Sequence, residues 1–124
     1  TERIRAAGNP ILQFGLASAR LEQKLELWKN LSPEMTSINF NSHDEFFQPD
    51  PEYPPIGCYS VHPVNEIRQY CRLANECGVK LEVECFTPGG YWAVSKIREG
   101  KFFDDDGTYV EEPNLLPDPL WIEI

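Results

Sequence analysis

Apolar residues along the chain keep two rhythms in alternation. The run Pro10-Ile11-Leu12-Gln13-Phe14-Gly15-Leu16 is short and apolar with a glycine near its end, the pattern of a strand buried on both faces. From Arg20 to Asn30 the residues Leu21, Leu25 and Trp28 recur at i, i+4 and i+7, while Glu22, Gln23, Glu26 and Lys29 take the other face. That spacing predicts an amphipathic helix, which Pro33 cannot continue. Met35-Thr36-Ser37-Ile38-Asn39-Phe40 then predicts a second strand, with polar side chains collecting toward its C-terminal end.

Residues 41–63 contain Pro49, Pro51, Pro54, Pro55, Gly57 and Pro63, which predicts a long irregular connection. Helical spacing returns at Ile67, Tyr70, Cys71, Ala74 and Cys77, opening near Pro63 or Val64 and closing at Gly78. Val79 to Phe86 alternates polar and apolar as a strand does. A further helix is expected from about Tyr91 to Glu99, with Ala93, Val94 and Ile97 on one side and Gly100 stopping it. After an acidic turn at Asp104-Asp105-Asp106-Gly107 and a proline-rich stretch, Leu120 to Ile124 predicts a terminal strand. The order βαβαβαβ implies parallel strands, in either a doubly wound sheet or part of a barrel.

Composition narrows the function classes. With 124 residues the chain is about one domain, or a piece of one, and short of the roughly 250 that a complete (β/α)₈ barrel needs. Twenty acidic against eleven basic side chains give a net charge of −9, which repels a phosphate backbone, so no nucleic-acid partner is expected. The apolar stretches are too short to span a bilayer, and no secretory signal is visible, so the expected compartment is the cytoplasm and no membrane contact is expected. Four cysteines, Cys58, Cys71, Cys77 and Cys85, lie in no secreted framework and read as reduced and mostly buried.

Chemistry concentrates at one strand. Glu84 falls near the C-terminal end of the third strand, where parallel α/β folds face their ligands. Glu82 and Glu84 share one face of it, and two like charges buried there need a cation or hydrogen bonds; two exposed surface glutamates are the other reading. His43 and His62 stand singly, without the spacing that puts two imidazoles on one metal, and read as surface or loop-packing residues. The Asp104–Gly107 run lacks the oxygen ligands of a calcium loop and reads as a solvated turn. Gly89-Gly90 reads as a tight turn before a helix.

Three segments in order, Ser32-Pro33-Glu34-Met35-Thr36-Ser37-Ile38-Asn39-Phe40, Gly78-Val79-Lys80-Leu81-Glu82-Val83-Glu84-Cys85-Phe86 and Pro119-Leu120-Trp121, resemble the β-keto acid cleavage enzymes, from about Pro10 to the end of the chain. The resemblance implies a partial (β/α)₈ TIM barrel with about four parallel strands, three to six in family order, as a single partial domain over residues 1–124. It implies zinc acting as a Lewis acid, and a β-keto acid and acetyl-CoA converted to acetoacetate and a new CoA thioester. Glu84 matches the family's glutamate ligand. The family's two histidine ligands form a His-x-His pair on an earlier strand, and no such pair occurs in this sequence.

Around the metal the resemblance implies a substrate pocket with Ser37, Asn39 and Ser42, and Gly15 and Ser18 where the family places an anion-binding turn. The family usually has a proline where Leu81 stands, an aspartate where Thr87 stands and a glycine-serine turn where Asn41-Ser42 stands. The expected state is an inactive segment that forms a homo-oligomer. The competing expectation is a non-catalytic interaction protein, or a barrel fragment, that associates through exposed strand edges.

Overall fold

A computed structural model describes residues 2–15, 20–48 and 50–123. Four strands, β1 (Gln13–Gly15), β2 (Met35–Asn39), β5 (Lys80–Glu84) and β8 (Trp121–Glu123), form one sheet in the order β1-β2-β5-β8. Every pairing is parallel, with Gly15 opposite Ser37, Asn39 opposite Glu84 and Glu84 opposite Glu123. Each new strand joins the same advancing edge. A doubly wound sheet reverses direction at a switch point, and this one does not. The α/β architecture is that of consecutive units of a (β/α)₈ barrel.

Helices α2 (Leu21–Leu31), α3 (Val64–Cys77) and α4 (Pro88–Glu99) connect these strands. α2 opens with the Arg20 amide donating to the Gln23 side chain and closes at Ser32, whose amide donates to the Trp28 carbonyl. Both α3 and α4 end on left-handed glycines, Gly78 and Gly100, as helix C-termini favour. The helices cover one face of the sheet. Trp28, Ile67, Tyr70, Cys71, Ala74, Ala93, Val94 and Ile97 pack with Ile38, Leu81 and Val83 in a single core cluster. Trp28 and Tyr70 meet edge to face at 5.2 Å between ring centroids.

Two parts of the sequence reading need correction. Residues 41–63, expected to be irregular, contain an antiparallel hairpin of β3 (His43–Phe47) and β4 (Ile56–Ser60). The described prolines lie outside both strands, with Pro51, Pro54 and Pro55 between them and Pro63 before α3, so none removes a ladder amide. Likewise, Gly89 and Gly90 do not precede the last helix as a separate turn; they form its first turn after Pro88. Gly90 is needed there by proximity, since a Cβ would lie 2.8 Å from the Phe40 carbonyl oxygen. Gly90→Ala is expected to destabilise the chain by about 1–3 kcal/mol through overpacking, read as a lower urea midpoint; an unchanged midpoint would contradict the close approach.

A short helix that the hydrophobic pattern does not predict, α1 (Glu2–Ala7), is tied down by Arg5 donating to Glu34 and to the Ser32 carbonyl. The acidic turn sits where expected, between two short strands, β6 (Lys101–Phe103) and β7 (Tyr109–Glu111). Buried Arg68 on α3 fastens this second hairpin. Its guanidinium bonds Asp104 at 2.8 Å and Glu112 at 2.9 Å, and it stacks 4.1 Å over the Phe102 ring centroid. Among the described residues no helix is long and apolar enough to cross a membrane.

Candidate functional site

Strand alternation sorts the sheet's side chains into two sets. Ile38, Leu81 and Val83 enter the helix-covered core, so Ser37, Asn39, Glu82 and Glu84 leave from the opposite face. Register then stacks them in rows. Gly15, Ser37, Glu82 and Trp121 form one row, and Asn39, Glu84 and Glu123 form the next, at the C-terminal ends of the strands. Gln13, one step back on the same face, donates its side-chain amide to the Glu82 carboxylate.

At this end the sheet meets the first turns of two helices, and a small cavity lies between them. Ser37, Ile38, Asn39 and Glu84 line it from the strands; Lys24 from α2, Glu66, Ile67 and Tyr70 from α3, and His62 from the preceding connection complete it. Its volume is about 10 Å³, about the space of one water molecule. Two of its polar atoms, Asn39 Nδ2 and the Tyr70 hydroxyl, are buried without a hydrogen-bond partner. Lys24 is only 4% exposed. Its Nζ lies 4.0 Å above the Tyr70 ring centroid. Burial pulls the Lys24 pKa down to about 8, against the opposing pull of the Glu66 and Glu84 charges.

Of the residues picked out from sequence, Glu84, Ser37 and Asn39 come together at this cavity. Gly15 is the neighbour of Ser37 on β1, where a Cβ would lie 3.6 Å from the Ser37 hydroxyl, but it does not line the cavity. Ser42 is half-buried in the connection after β2 and does not line it either. Ser18 lies outside the described residues. His62, read as a surface or loop-packing residue, is part of the lining.

Lys24 is the residue that sequence reasoning missed. Its signal was present, since position 24 falls three after Leu21 and four before Trp28, on the apolar stripe of α2 where a lysine is out of place.

Glu84 offers one oxygen ligand, but among the described residues no three His, Cys, Asp or Glu side chains gather as a metal site would require. The cavity around Glu84 is lined by Lys24 and the Asn39 amide nitrogen, both donors, as well as by Glu66 and His62. By themselves the described residues do not fit zinc. The thiols are no substitute. Burial pushes Cys71 up to about 12 and raises Cys85 as well, which keeps both protonated and unreactive.

The family model described as beta-keto acid cleavage enzyme matches residues 1–110, a span that includes β1, β2, β5 and Glu84. No curated protein matches the chain. The matched span covers most of the chain and contains the parallel strands that carry the Ser37, Asn39 and Glu84 rows, and a barrel is the architecture of that family. The chain belongs to the beta-keto acid cleavage enzyme family.

Proposed function

We propose that the chain is part of an enzyme that condenses a β-keto acid with acetyl-CoA and splits the product into acetoacetate and a new CoA thioester. The observation that carries this reading is the position of Glu84, the last residue of a central parallel strand and part of the cavity lining, beside Asn39. Side chains at that end of a barrel are the ones that meet substrate.

The family is generally metal-dependent, and zinc is the cofactor this reading brings with it, with Glu84 as the chain's one ligand. A His-x-His strand and the closing strands belong to the remainder of the domain in this proposal. The chain's own contribution is binding and orientation. Ser37, Asn39, Ser42, Gly15 and Ser18 are the residues this reading assigns to substrate binding, with Ser37 and Asn39 on the same sheet face as Glu84. A cavity of about 10 Å³ cannot admit a keto acid, so substrate lies above it, on the open side of the strand ends. The free thiols Cys71, Cys77 and Cys85 suit a reducing cytoplasm. Self-association through the edges β1 and β8 accompanies the reading, because unpaired strand edges accept further strands.

Alone, the chain is expected to be inactive. Purified protein incubated with zinc, acetyl-CoA and a panel of β-keto acids should release no acetoacetate. Turnover that disappears in Glu84→Ala would contradict the inactivity and keep the role of Glu84. Turnover indifferent to Glu84 would contradict both.

A further inference from the structure

Two small cavities flank β5, one at each end, and they differ in how their polar groups are served. At its start, a cavity of about 20 Å³ is lined by Val79, Leu81, Leu115 and Leu116 together with Asn75 and Lys80. Its polar side chains are already engaged, since the Asn75 amide donates to the Leu115 carbonyl and the Lys80 ammonium to the Pro117 carbonyl, each at 2.9 Å. The cavity of about 10 Å³ at the other end is different. Asn39 and Tyr70, 3% and 2% exposed, both line it, and neither Asn39 Nδ2 nor the Tyr70 hydroxyl has a protein partner. Buried polar groups are nearly always hydrogen-bonded, because an unmet one keeps the full cost of leaving water.

The lining selects what can serve both atoms. Asn39 Nδ2 only donates, so its partner must accept, which an ammonium ion or a metal cation cannot do. An anion is disfavoured as well, because the carboxylates of Glu66 and Glu84 outnumber the single ammonium of Lys24 in the lining. A water molecule is neutral, both accepts and donates, and needs about 10–15 Å³ with two to four polar partners.

We infer that this cavity binds one ordered water, which accepts from Asn39 Nδ2, shares a hydrogen bond with the Tyr70 hydroxyl and donates to a carboxylate of the lining. The water ties β2 to α3 at the end of the sheet and fixes the orientation of the Asn39 amide. The inference uses only the cavity and its two buried atoms, so it stands or falls apart from the enzyme reading, which fails on the release of acetoacetate.

High-resolution crystals of the full chain should show a solvent peak about 2.7–3.2 Å from both Asn39 Nδ2 and the Tyr70 oxygen. In solution, oxygen-17 relaxation dispersion should count one more long-lived internal water in the wild type than in the double variant Asn39→Leu with Tyr70→Phe. Tyr70→Phe alone, the milder change, should lower the urea midpoint by about 0.3–1 M, the loss of one hydrogen bond divided by the denaturant slope. It should cost less in the Asn39→Leu background, where the water has already lost an anchor. Density that joins Asn39 Nδ2 directly to the Tyr70 hydroxyl, no peak at the site, equal water counts or additive midpoints would each overturn the assignment.

Discussion

Arg68→Ala is expected to destabilise the fold by about 3 kcal/mol, the low end for breaking a buried ion pair, because Asp104 is half exposed and Arg72 still bonds Glu112. The mutation removes a guanidinium that bonds Asn65, Asp104 and Glu112 at once and stacks on Phe102, so the β6–β7 hairpin loses its hold on α3. Arg68→Lys should recover only part of the loss, since one ammonium cannot reproduce the planar fork.

The pH dependence has a definite sign. Burial pushes the Glu112 carboxyl up, but hydrogen bonds from Arg68 and Arg72 outweigh it and hold the group below its ordinary range. A carboxyl depressed in the folded state contributes stability above its unfolded pKa, about 4.3, and loses it as the pH falls through the folded value. The stability gap between wild type and Arg68→Ala should therefore be full at neutral pH and narrow as the pH drops below about 4. A gap that stays constant from neutral pH to pH 3 would show that the arginine acts by packing alone.

The second large effect concerns chemistry. In a barrel completed with a His-x-His strand, Glu84→Gln should lower kcat/KM for acetoacetate release more than about 100-fold, because even the outer partners of metal ligands cost 10–100-fold when removed. Zinc content should fall with it. A variant that still folds cooperatively and keeps its rate would remove Glu84 from the reaction.

Much of this site is legible in the sequence because a strand has a side-chain period of two. Glu82 and Glu84 must share a face, and helix, Gly78 and strand in succession set that face in a parallel sheet. The row formed by Asn39, Glu84 and Glu123 is not legible, because register is a property of pairing between strands far apart in sequence. The β3–β4 hairpin was hidden for another reason. Its strands are proline-free, but the prolines around them dominate any window wide enough to judge the segment. Lys24 and Arg68 were overlooked because their neighbours define the apolar stripes of α2 and α3; a charge on such a stripe is the sign of a buried ion partner. The partners of Arg68, Asp104 with Glu112, and the Glu66 and Glu84 charges that act on Lys24 are visible only once the chain is folded.

The account depends most on Glu84 standing at the ligand-facing end of β5. Anomalous diffraction from zinc in crystals of the completed barrel measures this directly. A peak about 2.0–2.2 Å from a Glu84 carboxylate oxygen is the predicted result. A zinc peak held by other residues, with Glu84 turned into bulk solvent on the outside of the sheet, would contradict it.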